Sequence, residues 1–277
     1  MMNTRSENPR ERLIFALDIG AGGMAELMTW VDRLQGHVGL FKVGKEAFTI
    51  HGPTLVEKIR ERGAGVFLDL KYHDIPNTVA RASAGAVGLG VAMFNVHAAG
   101  GRAMMAAAAA AARDEAAKLH KPLPLLIAVT VLTSLNDGDL RELGFRKGAL
   151  ETVQNFARLA RESGLAGVVA SPREIGAIRA ICGDDFVIVT PGIRGVDTVV
   201  GDDQKRTLDP EEAIAAGADY LVVGRPIRTA ADPVAAADRI VTAIAAGMAT
   251  RAGRRSGQPG GAHLPGRGGD EGFPADR

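Results

Sequence analysis

The sequence predicts an α/β fold, the (β/α)8 TIM barrel, because short apolar runs alternate with longer amphipathic segments. Eight such units fit within about 240 of the 277 residues, which is the number and length that this barrel needs. Each strand candidate is an almost continuous apolar run, as expected for parallel strands covered on both faces. A doubly wound sheet is the alternative, but no Gly-x-Gly-x-x-Gly follows the first strand.

The elements follow one another in regular order along the chain. Most of the amphipathic patterns between strands open on a capping residue or a proline, as helix starts do. The predicted strands are 13–18, 38–43, 66–71, 92–97, 123–130, 167–171, 186–190 and 220–224. The predicted helices are 25–34, 54–62, 78–87, 103–112, 150–163, 172–180, 210–216 and 232–245.

Composition indicates an ordinary globular protein with a sizeable core, since 46% of the residues are hydrophobic and 23% are charged. A net charge of +1 gives no indication of a nucleic-acid or anionic-membrane partner. The single cysteine, Cys182, cannot form an internal disulfide and is expected in the core. The N-terminus lacks an apolar signal core, and the apolar run 103–112 is too short to span a membrane. We expect a soluble cytoplasmic protein.

Three regions are expected along the chain. Residues 1–12 form a polar N-terminal extension, and residues 13–248 form the barrel, which is the catalytic domain. Residues 249–277 are rich in glycine, proline and arginine. Such a composition cannot bury enough apolar surface to offset the entropy of ordering, so this tail is predicted to be disordered.

Polar side chains cluster at the predicted carboxyl ends of the strands, whereas the amino ends begin with apolar residues or glycine. TIM barrels carry their chemistry at the carboxyl ends, so these groups are expected to share one mouth. Convergent polar groups at one mouth are typical of a small-molecule site. In strand order the candidates are Asp18, Lys42, Asp69 with Lys71, Asn95 with His97, Thr133 with Ser134, Ser171, Arg194, and Gly224 with Arg225.

Residues 67–76 read as a buried strand that continues into a loop, and they carry Asp69, Lys71 and Asp74. Asp69 and Lys71 are two positions apart, so they share one face of a strand. Opposite unit charges ~4 Å apart in a partly dry site attract by roughly 4 kcal/mol, and burying them without a purpose is costly. A structural salt bridge at the end of the barrel is the alternative to a catalytic pair.

The ends of strands seven and eight predict a phosphate site, which barrels of this kind often form there. Gly224 allows close approach of the backbone, and the planar guanidinium of Arg225 suits phosphate oxygens. Arg194 and Gln204 belong to the long glycine-bearing loop 192–206, a candidate lid. A plain surface position for Arg225 is the alternative.

The histidines do not predict a metal site, since the six of them are scattered with no pair at ligand spacing on one helix. His97 is interpreted as a core histidine with satisfied hydrogen bonds, although contact with a ligand is the alternative. No Ser-His-Asp or Cys-His arrangement stands at suitable positions. We expect neither a metal nor another cofactor.

The segment Asp69-Leu-Lys71-Tyr-His-Asp74-Ile-Pro-Asn-Thr78 resembles the signature of the orotidine 5′-phosphate decarboxylase family. The resemblance covers residues 13–246, and its further blocks come in the family's order. These blocks are Phe15-Ala-Leu-Asp18, Phe41-Lys42-Val-Gly-Lys, Asn95-Val-His97-Ala, Thr133-Ser134, Thr190-Pro-Gly-Ile-Arg194, Gly201-Asp-Asp-Gln204 and Val223-Gly-Arg225-Pro. It implies cofactor-independent decarboxylation of orotidine 5′-phosphate to UMP in de novo pyrimidine biosynthesis.

The resemblance also implies a role for each matching residue. Lys71 is the implied proton donor, within an alternating charged array of Lys42, Asp69, Lys71 and Asp74. The family is homodimeric, and Asp74 and Thr78 are implied to reach the partner subunit's site. The other implied substrate contacts are Asp18 and Lys42 at the ribose, Thr133 and Ser134 at the pyrimidine, and Arg194, Gln204, Gly224 and Arg225 at the phosphate. Asp69 is a further expected substrate contact, because its charge would crowd the substrate carboxylate.

Three other functions remain as alternatives. A metal-dependent sugar-phosphate synthase or decarboxylase shares the barrel and the Asp-x-Lys-x-x-Asp element, but a lysine at position 42 repels Mg²⁺. A Schiff-base aldolase needs a lysine that is neutral part of the time, which the aspartates flanking Lys71 oppose. The non-enzyme alternative is a barrel that only binds nucleotide phosphate.

Overall fold

The computed structural model describes residues 6–19, 23–193 and 208–256. Within these ranges eight parallel strands close into a barrel in sequence order, and β1 pairs with β8 to complete it. This closure confirms the predicted TIM barrel and excludes the doubly wound sheet. The strands are β1 Leu13–Ala16, β2 Leu40–Gly44, β3 Gly65–Tyr72, β4 Met93–His97, β5 Leu125–Val129, β6 Gly167–Val169, β7 Val187–Pro191 and β8 Tyr220–Val223.

Helices join successive strands and cover the outside of the barrel. The described residues also contain three short 3-10 helices, Pro9–Arg12, Ala98–Gly100 and Pro172–Glu174. The α-helices are α1 Met24–Leu34, α2 Lys45–Glu61, α3 Pro76–Gly88, α4 Gly101–Lys118, α5 Asp137–Glu142, α6 Ala149–Glu162, α7 Ile175–Cys182, α8 Pro210–Ala216, α9 Arg225–Arg228 and α10 Pro233–Ser256. No described helix is both long enough and apolar enough to cross a bilayer.

The core has two layers, which explains why the strands are apolar on both faces. A large cluster joins strand residues such as Phe15 and Phe41 to the covering helices. A smaller cluster consists of strand residues that include Ile14, Phe67 and Met93, and it fills the inside of the barrel. Because the interior is packed, charged side chains on the strands can gather only at the ends of the barrel. Cys182 is buried as predicted, and burial raises the pKa of its thiol.

Helix α2 starts nine residues before the predicted position 54. Gly52 has a φ of 60°, and Pro53 follows it inside the helix, so two helical segments meet at a kink. Proline lacks the N–H that continues a helix, and glycine tolerates the positive φ. The sequence pattern favoured a start after Pro53, whereas the chain is helical on both sides of it.

Residues on both sides of the predicted domain 13–248 contact the barrel at Asp219. Helix α10 continues to Ser256, past the predicted helix end at 245, and Arg251 donates hydrogen bonds to the carbonyls of Gly217 and Ala218 and to Asp219. Arg12, in the predicted N-terminal extension, is buried near the same aspartate. Ion pairs of Arg12 and Arg251 with the buried Asp219 therefore hold residues on both sides of the predicted domain against the barrel. The predicted disordered tail from 257 to 277 lies outside the described residues.

Candidate active site

The carboxyl ends of the strands surround a cavity of about 500 Å³. A cavity at this end of a TIM barrel is where such enzymes hold their substrates. The predicted site residues that line it are Asp18, Lys42, Asp69, Lys71, Thr133, Gly224 and Arg225. Arg194 and Gln204 lie outside the described residues.

Four charged side chains form an alternating row along the cavity wall. Lys42 Nζ lies 3.0 Å from Asp18 Oδ1 and 3.4 Å from Asp69 Oδ2. The other oxygen of Asp69, Oδ1, lies 2.6 Å from Lys71 Nζ. Lys42 and Asp69 are buried, so solvent screens their attraction far less than that of a surface pair. The row thus presents one well-held ammonium group, that of Lys71, at its end.

The strand register puts Asp18 level with Asp69, and Lys42 lies two residues lower, so its long side chain reaches up to both. Ala16 of β1 pairs with Lys42 of β2, and Gly44 of β2 pairs with Asp69 of β3. Asp18 follows β1 by two residues. Gly44 lies against this row, since a Cβ atom added to it would meet Asp18 Oδ1 at 3.0 Å and Lys42 Nζ at 3.1 Å. The sequence interpretation gave Gly44 no role, although glycine here leaves room for the charges.

The backbone of β3 is irregular at Lys71. Its φ is 52°, a left-handed conformation that costs a non-glycine residue about 1–3 kcal/mol. Pairing with β4 also shifts register between Leu68 and Tyr72. Lys71 N–H donates to Asn95 Oδ1 at 2.8 Å. Strand β3 is thus locally irregular at Lys71, yet it includes both Asp69 and Lys71, and their side chains meet on the cavity side as predicted.

Asp74 is not part of the row of its own chain, and its predicted place in the partner subunit's array stays a prediction. It is exposed on the loop after β3, where its Oδ1 accepts a hydrogen bond from Ile75 N–H. Thr78, in the first turns of α3, is also exposed. Neither residue lines the cavity of its own chain. Both lie on the surface beside the carboxyl end of β3, because the chain turns outward there to begin α3.

The pyrimidine and phosphate candidates are only partly brought together. Thr133 lines the cavity, but Ser134, its exposed neighbour, does not. Gly224 follows β8, and a Cβ atom added there would lie 3.3 Å from the Cβ of Ala16. Arg225 starts α9 at the cavity rim, and Arg228 from the next turn also lines the cavity. Sequence reasoning missed Arg228, which lies one helical turn from Arg225 and could have been found from that spacing.

His97 lies at the end of β4, beside the row of charges. Burial lowers the pKa of its imidazole to about 4, and the nearby charges of His73, Lys45 and Lys71 act in the same direction. Its Nδ1 accepts a hydrogen bond from Ala99 N–H, and its ring stacks on that of His73 with centroids 5.3 Å apart. His97 is therefore a neutral, partly buried histidine near pH 7. It does not line the cavity, and the described residues contain no cluster of three or more His, Cys, Asp or Glu suited to a metal.

A closed barrel with charged side chains at its carboxyl-end cavity belongs to the TIM-barrel enzymes, and arginines at the rim suit an anionic ligand. Comparison with known proteins narrows this class to one family. Residues 11–240 match the model of the "Orotidine 5'-phosphate decarboxylase / HUMPS family". The chain belongs to this family.

Individual relatives agree with the family match. The chain is 62% identical to the orotidine 5′-phosphate decarboxylase of Syntrophus aciditrophicus over 241 residues, which is 87% of this chain and 96% of that protein. It is 56% identical to the enzyme of the same name from Moorella thermoacetica, over 85% of this chain and 92% of the relative. The crystal structure of orotidine 5′-phosphate decarboxylase from Lactobacillus acidophilus has a TM-score of 0.74 at 36% identity, covering 84% of this chain and 98% of that one.

Proposed function

We propose that the protein is a cytoplasmic carboxy-lyase that decarboxylates orotidine 5′-phosphate to UMP in pyrimidine biosynthesis, with Lys71 as the proton donor. The reaction follows from family membership and from 62% identity to a relative that carries this enzyme's name. The observation that supports the residue assignment is the 2.6 Å contact between Lys71 Nζ and Asp69 Oδ1 in the cavity wall.

Charge stabilisation is the main demand of this reaction. The bond between C6 of the orotate ring and its carboxylate breaks, and the electron pair stays on C6 in the plane of the ring. The ring π system cannot delocalise that pair, so fixed positive charge in a dry site is the available means of stabilising it. We assign this role to the Lys71 ammonium, which then transfers one proton to C6. The resulting neutral amine is reprotonated from solvent.

Asp69 serves this chemistry in two ways. Its Oδ1 accepts a charge-assisted hydrogen bond from the Lys71 ammonium and so fixes the position of the proton. Its negative charge also lies beside the site assigned to the substrate carboxylate. Repulsion there disfavours the bound substrate and is relieved as neutral CO2 leaves.

Substrate binding uses the other residues of the mouth. In this proposal Asp18 and Lys42 hold the ribose hydroxyls, and Thr133 with Ser134 recognises the pyrimidine. Arg225 lines the rim of the cavity, and Gly224 beside it has no side chain that would block a ligand. Both support a phosphate position at the carboxyl end of β8. Phosphate contacts far from C6 would provide binding energy for positioning the ring. Arg194 and Gln204 complete the proposed phosphate site.

A homodimer with a shared site is part of the proposal. Asp74 and Thr78 are exposed and lie outside the cavity of their own chain, so they are free to approach a second copy. Between them Ile75 is 65% exposed, and large exposed apolar side chains near polar ones are common at interfaces. We assign Asp74 and Thr78 to the partner subunit's active site, where Asp74 would complete the array.

The second candidate function is a metal-dependent sugar-phosphate reaction, because the family description also includes the HUMPS group. Lys42 disfavours it. Its ammonium lies 3.0 Å from Asp18 and 3.4 Å from Asp69. A divalent cation at this place would have to be coordinated by the same two carboxylates. The Lys42 charge would repel the ion.

An assay in excess EDTA tests the proposed reaction. The purified full chain is mixed with orotidine 5′-phosphate, and loss of substrate absorbance and appearance of UMP are followed. We expect the same turnover with and without EDTA, and no condensation of formaldehyde with ribulose 5-phosphate when Mg²⁺ is added. Absence of UMP, or activity that EDTA removes and Mg²⁺ restores, contradicts the proposal.

A further inference from the structure

Asn95 is a buried polar residue with no role so far in the chemistry. It lies on β4 and is only 1% exposed. A buried amide needs hydrogen-bond partners for both its oxygen and its nitrogen. Both partners belong to the charged row: Oδ1 accepts from Lys71 N–H at 2.8 Å, and Nδ2 donates to Asp69 Oδ1 at 2.7 Å.

These two bonds also determine the orientation of the amide. The reverse orientation would set the NH2 group against the N–H of Lys71 and the oxygen against the Asp69 carboxylate. Both contacts would be repulsive, so only the observed orientation satisfies the neighbours. One rigid planar group therefore joins the backbone of Lys71 to the side chain of Asp69.

The bond to Lys71 lies at the irregular part of β3. Register between β3 and β4 shifts from the pair Leu68 and Phe94 to the pair Tyr72 and Val96, so the regular ladder does not continue through Lys71. The side-chain oxygen of Asn95 takes the place of a ladder carbonyl for the Lys71 N–H. It thereby supports the left-handed φ of 52°, which otherwise tends to relax.

The bond to Asp69 determines how that carboxylate is used. Oδ1 accepts from both Asn95 Nδ2 and Lys71 Nζ, which leaves Oδ2 for Lys42 at 3.4 Å. Rotation of the carboxylate would break the Asn95 bond and both ion pairs together. The aspartate is thus held in one rotamer by a neutral donor that does not alter the charge balance of the row.

We infer that Asn95 is a positioning residue for the decarboxylation, and that it aligns the Lys71 ammonium and the Asp69 carboxylate with the reacting carbon. This inference rests on the proposed role of Lys71. Asn95 does not line the cavity and acts through these two residues. Its loss should therefore affect turnover more than substrate binding.

Replacement of Asn95 by alanine tests this role through a split between kcat and KM. A displacement of about 1 Å at the reacting groups lowers turnover about 100-fold, so we expect kcat of Asn95→Ala to fall by about that factor with KM nearly unchanged. Ser83→Ala is the matched control. Ser83 is also buried, on helix α3, and the substitution removes the hydrogen bond that its hydroxyl donates to Val79 O. A kcat of Asn95→Ala as high as that of Ser83→Ala overturns the inference.

Asn95→Asp gives a second readout if the alanine variant does not fold. The new carboxyl can still accept from Lys71 N–H, but its other oxygen faces Asp69 in a row that also contains Lys42, Lys71 and Asp18. Two carboxyls in contact share a proton at low pH and repel each other when both are ionised. We expect kcat of this variant, relative to the unchanged protein, to fall as pH rises. A ratio that is independent of pH contradicts the inference.

The same experiments separate this inference from the proposed function. If Lys71→Ala retains decarboxylation, the proposed role of Lys71 fails, whatever Asn95 does. If Lys71→Ala is inactive while Asn95→Ala and Asn95→Asp both turn over like the unchanged protein, the inference about Asn95 alone fails.

Discussion

Lys71 Nζ lies 2.6 Å from Asp69 Oδ1 even though the backbone of Lys71 is left-handed, with a φ of 52°. Local strain of this kind persists only where the surroundings hold it, and it concentrates at functional sites. Here the surroundings are the buried carboxylate of Asp69 and the amide of Asn95. The cost of aligning the ammonium is thus met during folding, and no reorganisation is needed when negative charge develops on the substrate.

Gly44→Ala should disturb the charged row without straining the backbone. Gly44 has an ordinary φ of −84°, but the added methyl group would meet Asp18 Oδ1 at 3.0 Å and Lys42 Nζ at 3.1 Å. We expect kcat/KM to fall about tenfold through displacement of these side chains. Gly176→Ala on α7 is the control, because a Cβ atom there meets nothing within 4 Å. Equal activity of the two variants would show that the row tolerates the methyl group.

Arg225→Ala should weaken the binding of the substrate phosphate and so lower kcat/KM. A charge-assisted hydrogen bond contributes about 2 kcal/mol, so we expect kcat/KM for orotidine 5′-phosphate to fall about 30-fold. Orotidine without the phosphate serves as the internal control, and its slow reaction should be unchanged by the substitution. A similar loss with both substrates would assign Arg225 a structural role instead.

Mixed subunits test whether Asp74 serves the partner's site. Lys71→Ala and Asp74→Ala proteins are each expected to be inactive, and their heterodimer has one site with both defects and one with neither. Random exchange makes half of the dimers heterodimers, so about a quarter of the native activity should return on mixing. No recovery after confirmed subunit exchange would show that each chain's Asp74 serves the same site as its own Lys71, which contradicts the shared site. Lys118→Ala, at an exposed lysine, mixed with Asp74→Ala should keep about half of the native activity whether or not subunits exchange, so it controls for effects of mixing alone.

His97 makes stability depend on pH in mildly acidic solution. The folded state holds its pKa at about 4, against an ordinary 6.5, so between these values only the unfolded chain binds the proton. Stability is therefore lost as pH falls from 6.5 towards 4. The contribution of His97 to this loss in the free energy of unfolding is on the order of 1 kcal/mol once solvent screening is allowed for. In urea unfolding, the free energy of unfolding of His97→Gln should decrease less between pH 6.5 and 4 than that of the unchanged protein. The same dependence on pH in both proteins would refute the prediction.

The barrel could be predicted because each strand is apolar in its own right. The predicted strand ends differ from the observed ones by at most two residues. The convergence of Asp18, Lys42 and Asp69 could also be predicted, since parallel strands in a barrel bring their carboxyl ends to one side. Both inferences use only local pattern and the topology of the fold.

The remaining features depend on contacts between residues far apart in sequence. The left-handed Lys71 follows from register with β4, and the role of Asn95 follows from two hydrogen bonds that no spacing rule describes. Helix α10 extends past the predicted end at 245, where Arg251 donates a hydrogen bond to the buried Asp219. Asp74 is exposed and lies outside the cavity of its own chain, so its proposed role depends on a contact with a second copy.

Turnover by Lys71→Ala tests the central assignment most directly. The variant is given orotidine 5′-phosphate in a single-turnover assay, and its affinity for UMP is measured by calorimetry in parallel, with Lys118→Ala as the control lysine. We predict that UMP formation falls below detection while UMP binding stays measurable, because the ammonium acts on the charge that develops at C6. Near-normal UMP formation by Lys71→Ala would contradict the account.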